Sequence, residues 1–184
     1  MADRSAPPPL ALVQELANTL DIETGQDALA APGALAAFLR DHGVPPASAG
    51  THELDAVRRL REALRAACLA HTGQDVPAET GRTLNALLAD APLTLAVDAR
   101  GEAALRPAAG LTGAAALTAR IAAGIATAAA DGSWPRLKAC EAHDCQWVFY
   151  DRSPGGRGRW CSMAVCGSRA KMRTYRARRA AESG

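Results

Sequence analysis

At 184 residues, 48% of them hydrophobic and 22% charged, the chain has material for one packed domain and a small appended module. Its net charge of +2 hides a split: residues 1–133 carry 10 Lys+Arg against 15 Asp+Glu, whereas residues 134–184 carry 11 against 4. That split excludes a uniformly basic polyanion binder and confines any polyanion partner to the C-terminal end.

No apolar run reaches the roughly 18 residues of a membrane span, so no membrane partner is expected. Met1–Pro9 has one arginine and a proline run, which does not read as a secretory signal. The expected compartment is a reducing cytoplasm, where clustered cysteines favour metal over disulfides.

Residues 1–9 are expected to be a disordered tail. Leu10, Val13, Ala17 and Leu20 recur at helical spacing and predict a helix ending near Asp21. Leu35, Phe38 and Leu39 predict a short second helix, closed by Gly43 and the Pro45-Pro46 break. Thr51 has the place of an N-cap, with Glu53 in the first turn of a helix carrying Leu54, Val57, Leu60, Leu64 and Cys68. Arg58, Arg59, Arg61 and Arg65 then read as its solvated outer face, and Cys68 as a small buried hydrophobe. Pro77 opens a helix with Leu84, Leu87 and Leu88. Leu93, Leu95 and Val97 alternate with Thr94 and Ala96, and Asp98–Gly101 turns the chain back through Glu102–Arg106. Leu111–Ala130 predicts an Ala-rich helix with Leu117, Ile121 and Ile125 inward, followed by a linker at Trp134-Pro135. The fold class is α+β, mainly α: a helical domain with a β-hairpin over 10–133, then a cysteine module over 137–180.

That module carries Cys140-x4-Cys145, fifteen residues, and Cys161-x4-Cys166. Two thiolate pairs at this spacing can close a tetrahedral shell around one zinc ion. Four thiolates leave no open position for water, so the metal is structural; His143 reads as an exposed turn residue. Gln146–Tyr150 and Arg157–Trp160 predict two strands around the turn Ser153–Gly156, and Cys166 falls in the first turn of a terminal helix. That is a treble-clef plan, a part that should not fold well without its metal.

The terminal helix holds Arg169, Lys171, Arg173, Arg176, Arg178 and Arg179, with no acid until Glu182. At about 100° per residue, Arg169, Arg173 and Arg176 share a stripe roughly 60° wide. With Arg157 and Arg159 nearby, these guanidiniums suit phosphate contacts and bidentate grip on guanine. The hairpin is expected to pack on this helix.

Three classes of function follow. The first is a DNA-binding transcription regulator; a lone small finger binds weakly, so a homodimer through the helical body is expected. The second is an RNA-binding module, with Trp147, Phe149, Tyr150 and Trp160 as a stacking platform, although most of these aromatics are needed for the module's own core. The third is a zinc–thiolate redox switch. An enzyme is not expected: no paired carboxylates or nucleophile–base pair stand out, and His42, His52 and His71 are scattered.

The run from Arg159-Trp160-Cys161 through Cys166-Gly167-Ser168-Arg169, with Cys140-x4-Cys145 and Phe149-Tyr150-Asp151-Arg152-Ser153 before it, resembles the CGNR zinc finger. Ser168 stands where that signature has Asn. Leu16-Ala17-Asn18-Thr19-Leu20-Asp21 is similar to the Asn-Thr-hydrophobic-Asp stretch of the ABATE domain, which usually precedes such a finger. The resemblance implies a bacterial, cytoplasmic, DNA-binding regulator whose N-terminal domain senses an unknown effector or mediates assembly. Asn18 and Asp21 have two readings: they line a ligand pocket, or they end the first helix and bond neighbouring backbone.

Overall fold

A computed structural model describes residues 4–47 and 51–182. Six helices and two hairpins follow in order: α1 Pro8–Ala17, α2 Ala34–Asp41, α3 Thr51–Ala70, α4 Ala78–Ala89, β1 Leu93–Val97, β2 Ala103–Pro107 and α5 Gly113–Ala130. A 3-10 turn, Trp134–Arg136, then leads to β3 Leu137–Ala139 and β4 Val148–Tyr150. A π-helical turn, Met163–Gly167, runs directly into α6 Ser168–Glu182.

The core forms where α1, α3 and α5 bury one face each. Leu10, Val13, Leu16 and Ala17 from α1 meet Val57, Leu60, Leu64 and Cys68 from α3 and Leu117, Ile121 and Ala128 from α5. The Cys68 thiol is fully buried and its pKa is pushed up to about 12 by that burial, so it packs as a neutral apolar group. α1 and α5 come together at Gly124, where a Cβ would overlap the carbonyl oxygen of Pro9. α5 spans 18 residues with a mean hydropathy of 1.3, long and apolar enough to cross a membrane. This corrects the expectation that no such run exists. Here its buried face, centred on Leu117 and Ile121, lines the core.

Four further expectations are overturned. Residues 4–9 are not a free tail: α1 begins at Pro8, and the Arg4 carbonyl accepts from the Tyr150 N–H at 2.9 Å. Arg4 also donates to Trp160 O at 2.9 Å and lies over the Phe149 ring; residues 1–3 fall outside the described residues. Arg61 and Arg65 are not solvated but 4% and 2% exposed, because their guanidiniums find partners at the end of α1 and in the loop after it. Arg61 pairs with Asp27 at 2.8 Å, and Arg65 donates to Ala17 O at 2.6 Å. The strand partner of Val148–Tyr150 is Leu137–Ala139, not Arg157–Trp160. Finally, the hairpin expected on α6 packs on α3 and α1 instead. The capping role expected of the Thr51 side chain lies outside the described residues.

The β3–β4 hairpin belongs to the main core. Leu137, Ala139, Val148 and Tyr150 are buried in the same cluster as α1, α3 and α5. Gly124→Ala is expected to force α1 away from α5 and cost about 1–3 kcal/mol, as overpacked cores do. Urea denaturation of the variant checks this by a lower midpoint at unchanged m-value.

Candidate metal centre and basic helix

Cys140 and Cys145 sit at the ends of the turn that joins β3 to β4. The turn closes through Cys145 N–H to Ala142 O at 2.9 Å and Cys140 N–H to Trp147 O at 3.0 Å. Gln146, directly after Cys145, takes the left-handed conformation (φ 47°) that turns the chain back into β4. Cys161 and Cys166 approach from the other side. Cys166 lies in the π-helical turn, whose N-cap Ser162 accepts from the Val165 N–H at 3.3 Å. Ser168, at the signature's Asn position, donates back to Met163 O at 3.2 Å and closes that turn.

All four sulfurs lie within 4.8 Å of one another. Cys145 to Cys161 measures 3.6 Å and Cys161 to Cys166 3.7 Å. A tetrahedral shell with zinc–sulfur bonds of about 2.3 Å has sulfur–sulfur edges of about 3.8 Å. The spacing therefore fits one zinc ion, and it is far too long for disulfides, which need about 2.05 Å. Without a cation the sulfurs must share protons. Hydrogen bonds from Cys145 and Cys161 hold the Cys140 thiol far below its usual range, and Cys140 in turn pushes Cys145 and Cys161 up. A divalent cation removes that conflict, so zinc uptake must release protons. Four thiolates form a closed shell, which suits a structural metal.

Three devices fix this centre to the body. Asn18 donates to Val148 O and accepts from Val148 N–H, both at 2.8 Å. Arg65, besides Ala17 O, donates to Gln146 O at 3.3 Å, one residue past a ligand. His71 meets Leu137 O through Nδ1 at 2.7 Å and stacks edge-on against Trp134. Asn18 is thus a clamp between the two parts, and Asp21 accepts from the Thr24 N–H in its own turn. Asp21 thus bonds neighbouring backbone, whereas Asn18 bonds backbone 130 residues away.

A buried ion pair, missed in the sequence, orders the loop between the cysteine pairs. Lys138 Nζ lies 3.0 Å from the Asp151 carboxylate, with side chains 5% and 3% exposed. Asp151 also accepts from Gly158 N–H at 2.6 Å and Ser153 N–H at 3.0 Å. Burial raises its pKa, but bonds from Ser153, Gly158 and Lys138 outweigh that and hold it well below the carboxylate range. A lysine at the centre of a three-residue strand hides that strand's burial; the acid that neutralises it comes thirteen residues later.

The predicted basic residues divide in two. Arg159 is paired with Glu141 and Arg169 with Glu23, the latter at 2.7 Å. Arg157, Lys171, Arg173, Arg176 and Arg178 are exposed and hold no ion pair or hydrogen bond among the described residues; Arg179 lies over the Tyr175 ring. Arg169, Arg173 and Arg176 do fall together, lining a shallow groove of about 490 Å³ with Val165, Ser168 and Met172. Met163, Met172 and Tyr175 are also exposed. Phe149 and Tyr150 are buried, which removes two members of the stacking platform.

Because Leu137, Val148 and Tyr150 belong to the main core, metal loss should reach beyond the module. Cys161→Ser is expected to lose zinc and to lower the melting temperature of the whole chain in one transition; an unchanged body transition would contradict the shared core. Asp151→Ala leaves Lys138 buried and unpaired, and should cost about 3–5 kcal/mol. The carboxyl's folded pKa lies below its ordinary 3.8. Its stabilisation is therefore complete above about pH 5 and is lost progressively as pH falls through 3.8 towards the lower folded value. Denaturation of wild type and Asp151→Ala at neutral and acid pH should show the difference shrinking on acidification.

Comparison with protein-family models matches residues 136–179 to the CGNR zinc finger. No curated protein matches the chain. A second model, ABATE, described as "Putative stress-induced transcription regulator", matches residues 10–132, two thirds of the sequence. The chain belongs to the ABATE family, and carries a CGNR zinc finger behind the ABATE domain.

Proposed function

We propose that this protein is a DNA-binding transcription regulator of the bacterial cytoplasm, in which the zinc centre holds α6 out from the body as the DNA-contacting element. The observation that carries this reading is the state of α6. Residues 171–181 are all exposed, their apolar side chains included, and four cations on the helix have no ion pair or hydrogen bond among the described residues. A 15-residue helix with crowded positive charge is marginal by itself, since like charges three and four apart repel. A polyanion supplies what it lacks. The groove pairs Arg169, Arg173 and Arg176 with Met172 and Val165. Such a mixture suits a duplex groove, with guanidiniums on phosphates or guanine edges and apolar groups on thymine methyls.

Glu23 competes for Arg169, so DNA must displace a carboxylate of the body to use that residue. The body then has two roles: it sets the direction of α6 through the Asn18 and Arg65 clamps, and it pairs two copies to lengthen the site read. An effector would fit the cavity of about 280 Å³ between Leu29, Leu35, Leu39 and Leu54, beside the Glu53 carboxylate. The role is non-catalytic.

Arg173→Ala and Arg176→Ala test the reading. Each is expected to weaken duplex binding several-fold at moderate salt and to flatten the slope of log K against log salt by about 0.9. Zinc content should not change. Fluorescence anisotropy across a salt series measures both, and an isotherm unaltered in affinity and slope would refute the role of α6.

A further inference from the structure

The β1–β2 hairpin shows its bulkiest apolar side chains to solvent. The two strands pair residue for residue without a bulge, Leu95 opposite Leu105 and Val97 opposite Ala103. Leu95 and Val97 are each 64% exposed and Leu105 40%, all on one face; Leu93 on that face and Ala96 on the other are half-buried. Asp98 N–H donates to Glu102 O and Ala108 N–H to Pro92 O. In an antiparallel ladder this phase means that even-numbered residues of β1 bond to β2. The N–H and C=O groups of Leu93, Leu95 and Val97 therefore point outward along the free edge.

The two edges differ. β2 carries Arg106 and Pro107, and α5 packs against it more extensively than against β1. β1 reads Leu-Thr-Leu-Ala-Val, with no lysine, no proline, no bulge and no charge among its five residues. Those are the usual devices that keep an edge strand from pairing, and β1 has none of them.

We propose that β1 pairs antiparallel with β1 of a second copy about a two-fold axis at Leu95. This register uses every outward-facing residue: Leu95 meets the partner's Leu95, and Leu93 meets the partner's Val97. It makes one four-stranded sheet and gives the exposed leucines and valines cross-strand neighbours. Charge fits the same register. Asp90 precedes the strand by three residues and Arg100 follows it by three, so each Asp90 comes to the end where the partner's Arg100 lies. Both side chains are exposed and hold no bond among the described residues. The pairing supplies the interface for the two-copy regulator and rests on that reading for its purpose, while its evidence is the hairpin alone.

Sedimentation equilibrium of the full zinc-loaded chain, without DNA and over a wide concentration range, tests it. The wild type is expected to be a dimer. Leu95→Pro removes an outward N–H that β2 does not use, and should raise the dimer dissociation constant about a hundredfold or more with circular dichroism unchanged. Thr94→Lys, on the opposite face of the same strand, should remain dimeric. Should Leu95→Pro lose its native spectrum, Leu95→Lys must dissociate with the spectrum intact. A monomeric wild type, or a dimer indifferent to both Leu95 variants, overturns the proposal. A dimer that Leu95→Pro dissolves but that binds no duplex upholds the interface and refutes the regulator reading instead.

Discussion

Four sulfurs within 4.8 Å of one another cannot all be thiolates without a cation among them, and the C-terminal third of the chain is arranged around that constraint. Without the ion, three of the thiols are driven towards the protonated state and the shell has no reason to stay closed. With it, two strands of chain that share few aliphatic contacts are fixed to each other. Cys140 and Cys145 come from a hairpin buried in the body, whereas Cys161 precedes the π-helical turn that begins α6 and Cys166 lies within it. The metal is thus the joint between a core that is stable for ordinary reasons and a helix that has almost no packing of its own.

What the joint holds depends on the body side being rigid. Asn18 grips both backbone groups of Val148, and Arg65 reaches from α3 to the carbonyl of Gln146. Both attach within three residues of Cys145, so the direction of the first ligand pair is set by α1 and α3. Arg65 is nearly fully buried, and its guanidinium is spread over carbonyls from two segments and the Glu62 carboxylate. Such an arrangement is costly to break, because a buried charge would be left unpaired. Finger and body therefore form one mechanical unit, with α6 as its projecting arm.

The periodicities of α1, α3 and α5, the alternation of β1 and the spacing of the cysteines were readable because each is a local pattern with one physical meaning. Partner choice was not. Val148–Tyr150 had candidate strands on both sides, and Lys138 made the true one look exposed until Asp151 is seen to neutralise it. Arg61 and Arg65 read as surface for the same reason: their acceptors at Asp27, Ala17 and Gln146 are 34 to 81 residues away in sequence. Of the site itself, the ligand set and the arginine stripe were legible. The capture of Arg159 by Glu141 and of Arg169 by Glu23 depended on folding and was not.

We propose that α6, held by zinc, reads duplex DNA. Selection from a random duplex pool with the zinc-loaded chain, at moderate salt and with competitor RNA present, tests it most directly. The expected result is enrichment of a short shared motif that RNA does not displace and that Arg173→Ala weakens. Retention without any motif, or retention abolished by RNA, would contradict it.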